Sequence, residues 1–325
     1  MEHSNQRPPE GMTPTVAAPP APTTAGAAFA SQAINALLSV RPLWQVAKWQ
    51  ARSMMIRRAE RLGIPWSATV TELREVDWAP IWESVVDPAL AYPANYRASF
   101  HGYEAGHLSW EAAFEFEVAS RAVHSSLYPE AGAHSDRALR DGYQAALLAA
   151  LPQAPATILD LHCTVGLGCF ALRRAFPAAA VSGLDFSPHY LAVARHLEAG
   201  RGGGIAAWHH ALPETTGLPS GSFDLVSAFL LLHEMPQDTT RRILREARRL
   251  LKPGGSLAVM DMDPSCSAYQ TMPAPILTLL KSTEPYLDQY FSLNLEQELR
   301  DAGFDAVSSR PCSPRHRAVV ASVAV

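Results

Sequence analysis

The sequence has no uninterrupted apolar run of the roughly 18 residues that a membrane-crossing helix needs, so no such helix is expected. It also lacks an excess of positive charge. With 27 Lys and Arg against 31 Asp and Glu, the formal charge is -4, and the overall balance gives no attraction to nucleic acid. Only four cysteines are present, Cys163, Cys169, Cys266 and Cys312, with neither paired metal-ligand spacing nor a dense disulfide pattern. Buried, unreactive thiols in a reducing compartment are expected. No basic start runs into an apolar block, as a secretory leader would, and Glu2 and Glu10 are unlike an organelle transit peptide. The expected location is therefore cytoplasmic, with a plastid as the alternative. No internal repeat is found. What the 325 residues do have is 48% hydrophobic content, enough for one large core or two modest ones.

Three regions follow from composition and periodicity. Residues 1–32 are rich in Pro, Ala and Thr and nearly free of large apolar side chains, which predicts a disordered tail. Residues 33–150 carry helical periodicity without strand signals and read as a helical extension or cap. Within it Leu43, Trp44, Ala47, Ala51, Met54, Met55 and Leu62 fall in an arc of roughly 120° on a helical wheel, beside a cluster of arginines. A helix packed on the core explains this arc; peripheral contact of residues 43–62 with an anionic membrane is the other reading. From residue 151 to 325, the runs "TILDL", "AAVSGLD", "GIAAWHH", "FDLVSAFLLL" and "SLAVMD" alternate with helical stretches, the pattern of an α/β fold with a parallel sheet covered on both faces. The helix "DTTRRILREARRLLKPGG" is expected to stop at Pro253, Gly254 and Gly255. The closing "GFDAVSSRP" and "HRAVVASVAV" are joined by so few residues that they predict an antiparallel hairpin at the sheet edge.

The stretch "LDLHCTVGLG", Leu159 to Gly168, leads from the first strand into a helix and so points backbone N–H groups at a polar or anionic ligand. Asp185 ends the second strand, where a carboxylate can accept hydrogen bonds from both ribose hydroxyls. A dinucleotide fingerprint would need glycines at His162, Thr164 and Leu167, and none is there. The spacing acid-x-G-x-G-x-G, with Asp160, His162, Thr164 and Gly166 in the four places, resembles the first motif of class I S-adenosylmethionine (SAM) dependent methyltransferases. "LDFSPHYLAVAR", "LPSGSFDLVSAFLLLHEMP" and "LREARRLLKPGGSLAVMDMD" are similar to that family's later motifs, in the same order over residues 155 to 265. The extension, above all "YPANYRASFHGYEAGHLSWEAAFEFEVAS", resembles that of plant, algal and cyanobacterial members.

The resemblance implies a Rossmann-like seven-stranded sheet with the last strand antiparallel, SAM as cofactor and a small-molecule methyl acceptor. It places the ribose on Asp185, the adenine against Phe186, and the amino-acid end of SAM near Gly166, with Asp160 ordering the loop. Two positions depart from the pattern. Glycine serves where a Cβ collides or a positive φ is needed, so His162 and Thr164 narrow the expected pocket. The acid that meets the adenine amino group is replaced by Leu212, leaving Glu214 as a shifted candidate. For His162 three readings stand open: turned away from SAM, bonded to its carboxylate, or blocking the site. A catalytically silent scaffold and a membrane-associated quinone or lipid methyltransferase are the alternatives to a small-molecule enzyme.

A base is needed only where the acceptor must lose a proton. His233 and Glu234 directly follow the fourth strand, on the ligand side of an open sheet, and are the first candidates. The bland alternatives are a polar niche for His233 and a helix cap for Glu234. Asp261 and Asp263 end the fifth strand, one expected to cap the segment at Pro264 and the other to face solvent. No metal is expected there, nor at His209 and His210, which lack a third ligand. Tyr286, Tyr290 and Phe291 could line an aromatic acceptor pocket or simply fill the core. In the extension, Tyr103 and His107 could close the site from above, and Ser109 is placed to cap the helix that follows.

Overall fold

The computed structural model describes residues 41–324; the Pro/Ala/Thr-rich tail and the start of the extension lie outside the described residues. Seven strands form one sheet in the order β3-β2-β1-β4-β5-β7-β6. They are β1 (Thr157–Leu161), β2 (Ala180–Asp185), β3 (Ala207–His210), β4 (Phe223–Phe229), β5 (Leu251–Met262), β6 (Ala306–Pro311) and β7 (His316–Ser322). β1 to β5 are parallel, while β7 runs antiparallel to both β5 and β6. The hairpin read from the last residues thus forms, with β6 on the edge.

Twelve α-helices among the described residues flank the sheet or precede it: α1 (Arg41–Arg61), α2 (Trp66–Arg74), α3 (Ala79–Val85), α4 (Trp110–His124), α5 (Ser135–Ala150), α6 (Leu167–Ala175), α7 (Pro188–Gly200), α8 (Gln237–Leu250), α9 (Ser267–Gln270), α10 (Ala274–Thr283), α11 (Leu287–Phe291) and α12 (Leu295–Asp301). Period-two alternation sends β1 side chains to opposite faces. Leu159 and Leu161 join Ile243, Leu244 and Ala247 of α8 in one core, and Ile158 joins Leu139 and Leu147 of α5 and Leu172 of α6 in the other. A third core, built on Ile64, Trp66, Val70, Phe114 and Val118, binds α1, α2 and α4 to Tyr190 and Val193 of α7. That core fixes the extension over the carboxyl ends of the strands.

Two boundaries differ from the sequence expectation. α8 ends at Leu250 and β5 begins at once, because Lys252 precedes Pro253 and a residue before proline is driven out of the helical region. β4 ends at Phe229 because Leu230 takes a positive φ of 56°, after which Leu232–Glu234 form a single 3₁₀ turn. That break is what swings His233 and Glu234 over the sheet. Met55 in α1 and Leu62 just after it pack inward, but Met54 is 59% exposed, so the predicted arc is interrupted; the side chains of Leu43, Trp44, Ala47 and Ala51 lie outside the described residues. Its arginines also turn to protein partners: Arg52 pairs with Glu115, and Arg58 donates to Ser125 Oγ at 3.1 Å.

Ser109 caps α4 as expected, its hydroxyl accepting from Ala112 N at 3.3 Å. Gly168, at the start of α6, has no room for a side chain because a Cβ would run into the Asp160 carboxylate. Gly168→Ala should therefore lower stability by about 1–3 kcal/mol, the usual cost of overpacking. A melting temperature equal to wild type in thermal denaturation would contradict that packing.

Candidate active site

After β1 the chain turns through residues 162 to 166 before entering α6. His162, Thr164 and Gly166 all take positive φ, at 68°, 52° and 81°. These are the alternate positions where the resemblance calls for glycine, and the backbone shows the reason: the turn needs left-handed residues whatever their side chains. A β-branched threonine is especially strained there. Hydrogen bonds from His162 N and Cys163 N to Leu184 O, at 2.8 and 2.9 Å, pin the turn to β2. Thr164 N donates to Asp185 Oδ2 at 2.9 Å, and Ser187 N donates to Asp185 Oδ1 at 2.8 Å. Asp185 is fully buried, so both of its oxygens are engaged by the chain itself.

The His162 ring lies inside the site. Its Nδ1 is 3.1 Å from Asp185 Oδ2 and its Nε2 is 3.2 Å from Glu234 Oε2. Burial opposes a charge on this ring, but Asp185 and Glu234 outweigh it and hold the imidazolium up to about 10. Glu234 is buried against the charge as well, yet His107 and His162 keep its carboxyl well below the usual range. One face of His162 stacks on Phe186, with centroids 5.6 Å apart and planes 3° from parallel. Phe186 also meets the Tyr96 ring at 4.6 Å, and the Tyr96 hydroxyl donates to Glu214. Thus residues 96 to 107 of the extension close over the ends of β1 and β2.

A second line of histidine and carboxylate groups runs beside the first. His233 Nδ1 lies 2.7 Å from Asp261 Oδ1, while Asp261 Oδ2 accepts from Leu232 N at 2.8 Å and His233 N at 3.2 Å. His233 Nε2 is 4.0 Å from Glu284 Oε2, and Glu284 Oε1 pairs with His101 Nε2 at 2.8 Å. Burial again opposes the charge on His233, but Asp261, then Glu284 and Glu234, raise it to about 9. Among the described residues, the four non-glycine positions with positive φ are His101, His162, Thr164 and Leu230. His101 and His162 put their side chains into this space, while Leu230 packs on the other face of the sheet; strain of about 1–3 kcal/mol at each position must be held by the surrounding packing.

Several candidates from the sequence come together here and others do not. His107 reaches the site, 3.7 Å from Glu234 and stacked on His162 with centroids 5.6 Å apart. Tyr103 turns the other way, its hydroxyl donating to Glu115 at 2.7 Å beside Arg52. Tyr290 is buried with its ring 6.3 Å from that of His233, and its hydroxyl donates to Met262 O at 2.9 Å. Tyr286 is only half-buried and feels Asp238 at the start of α8. Asp160 points to the opposite side of the loop, beneath α6, where burial raises its carboxyl to about 6. Glu234 makes no cap for α8, which lacks a side-chain cap. Asp263 does organise the turn at Pro264, accepting from Ser265 N at 2.9 Å, whereas Asp261 is buried on His233 rather than facing solvent. Asp261 and Glu284 are the partners that sequence reading missed; the acidic end of β5 was a visible signal for the first, and nothing marked the second.

Residues 158–255 match the methyltransferase domain family. An uncharacterized methyltransferase of Synechocystis is 32% identical over 150 residues, covering 46% of this chain and 67% of that one. The chain belongs to the class I SAM-dependent methyltransferases. Among other relatives of this methyltransferase, a ubiquinone biosynthesis O-methyltransferase of Xanthomonas axonopodis is 30% identical over 159 residues, and a demethylmenaquinone methyltransferase of Thermus thermophilus is 36% identical over 118. These alignments cover 48% and 35% of this chain and span 65% and 51% of the relatives' lengths, less than two thirds of either. The crystal structure of a putative O-methyltransferase from Nostoc punctiforme, 18% identical, superposes with a TM-score of 0.51 over 82% of this chain and 72% of that one, a likeness of fold.

SAM is the cofactor of this family, and the frame of this methyltransferase fits it. The loop has the left-handed turn of the glycine motif, Asp185 stands at the end of β2, and Gly166 leads into the amino end of α6. The side chains that enclose Asp185, His162 foremost, are what a bound ribose would have to displace.

Proposed function

We propose that this methyltransferase moves a methyl group from SAM to an oxygen of a small aromatic acceptor. The observation that carries the reading is the buried His233–Asp261 pair, 2.7 Å apart, at the carboxyl ends of β4 and β5. SAM supplies an activated methyl group on a sulfonium, so the chain's tasks are alignment, exclusion of water and removal of the acceptor's proton. Asp185 would hold the ribose, Phe186 would pack on the adenine, and the backbone near Gly166 would receive the amino-acid end. Asp261 fixes the His233 ring through Nδ1, leaving Nε2 to take the proton from an acceptor hydroxyl. Tyr290 places an aromatic wall beside that ring. Relatives named as a ubiquinone biosynthesis O-methyltransferase and a demethylmenaquinone methyltransferase support an aromatic acceptor.

A second reading has its own observation. The engagement of Asp185 by Thr164, Ser187 and His162 is what a silent scaffold with a closed site would show. Calorimetric titration with SAM and with S-adenosylhomocysteine separates the two. Saturable binding is expected for wild type, weakened about tenfold or more in Asp185→Asn, since hydrogen bonds to a charged group are worth about 1.5–3 kcal/mol. Heat of dilution alone for wild type would sink methyl transfer and favour the scaffold.

A further inference from the structure

One donor atom each from His101, His107 and Glu234 lie within 4.8 Å of one another. His107 and Glu234 are buried at 3% and 8% exposure, and the buried Nε2 of His107 has no hydrogen-bond partner. Leaving a buried polar nitrogen unpaired is costly, and the other ring nitrogen, Nδ1, faces Glu234 Oε2 at 3.7 Å, too far for a hydrogen bond. We infer that His101, His107 and Glu234 form a binding site for a divalent transition metal of the zinc class, held between the extension and the turn after β4.

The donor set selects the ion. Two imidazoles and one carboxylate suit zinc, cobalt or ferrous iron, whereas magnesium and calcium favour all-oxygen sites. Tetrahedral bonds of about 2.0–2.1 Å place donors roughly 3.4 Å apart, so the three side chains would close by about an ångström. The movable member is His101, whose side chain is 38% exposed on a turn of the extension. Glu284, bonded to His101 Nε2 at 2.8 Å, is placed to orient that ring, as carboxylates commonly do behind metal-bound histidines. Three protein ligands leave a coordination position open, as in catalytic rather than structural zinc sites. His101 and His107 are far from Glu234 in sequence, and no ligand spacing announces the site.

The site does not depend on SAM binding, and the test uses the metal alone. Untagged full-length chain, stripped with a chelator, is titrated with Co²⁺ under visible absorbance and reloaded with Zn²⁺ for elemental analysis. One equivalent per chain is expected, with d–d bands and no thiolate charge-transfer band. His101→Asn, which tolerates the positive φ at that position, should bind at least about tenfold more weakly with an unchanged circular dichroism spectrum, as should Glu234→Gln. Absence of stoichiometric uptake by wild type, a thiolate band, or unchanged affinity in His101→Asn would overturn the site. A failed SAM titration would leave it standing.

Discussion

Replacing His233 with glutamine should lower kcat for methyl transfer to a hydroxyl acceptor by about 10²- to 10⁴-fold, the usual contribution of a positioned base. SAM affinity, read by calorimetry, should change little. The pH profile makes the expectation sharper. A base acts in its neutral form, and His233 is held up to about 9, so at neutral pH most of it is imidazolium. In wild type kcat/KM should rise about tenfold per pH unit through the neutral range and level off above about 9. Six groups act on the ring from the elements around it: Asp261 from β5, Glu284 before α11, Glu234 beside it, Tyr290 from α11, His101 from the extension and His316 from β7. Asp261 is the largest of the raising influences, so Asp261→Asn should move the limb toward the ordinary histidine value of about 6.5. A limb unchanged in Asp261→Asn, or still present in His233→Gln, would remove His233 from the role of base.

His162→Gly should pull binding and stability in opposite directions. The variant frees Asp185 from its imidazolium partner and removes a positive charge from a site meant for a sulfonium, so SAM should bind about tenfold tighter, a gain of roughly 1.4 kcal/mol. Glycine also relieves the left-handed strain at this position. Against that, Glu234 and Asp185 lose a buried partner, and breaking a buried ion pair costs about 3–5 kcal/mol. Net destabilisation of about 3 kcal/mol is expected in denaturant titration near neutral pH. The sign of the pH dependence follows from the raised value. The folded-state pKa of about 10 exceeds the unfolded value near 6.5, so the His162 contribution is fully present below about 6.5 and lost as pH rises toward 10. The gap between wild type and His162→Gly should accordingly narrow between those limits. Weaker SAM binding in the glycine variant would mean that His162 contacts the cofactor rather than competing with it.

The strands were legible because their apolar runs are short and bounded, and β1 matches its sequence reading residue for residue. The end of β4 was misread because Leu230 and the leucines after it look like more strand. Only the backbone conformation at Leu230, a large residue at positive φ, ends it there. Likewise, glycine replacements at His162 and Thr164 could be noticed in the sequence, but where the His162 ring goes depends on Asp185 and Glu234, which arrive from β2 and from the turn after β4.

By itself the sequence determined the alternation of strands and helices, the final hairpin and the positions of Asp185 and His233, since each rests on periodicity or motif spacing within a few residues. Tertiary structure alone decided that four histidines and four carboxylates, all buried but His101, would come together beneath the extension. Those groups come from six separate stretches of chain, and the raised values of His162 and His233 and the lowered value of Glu234 are set by neighbours that no local pattern brings near them.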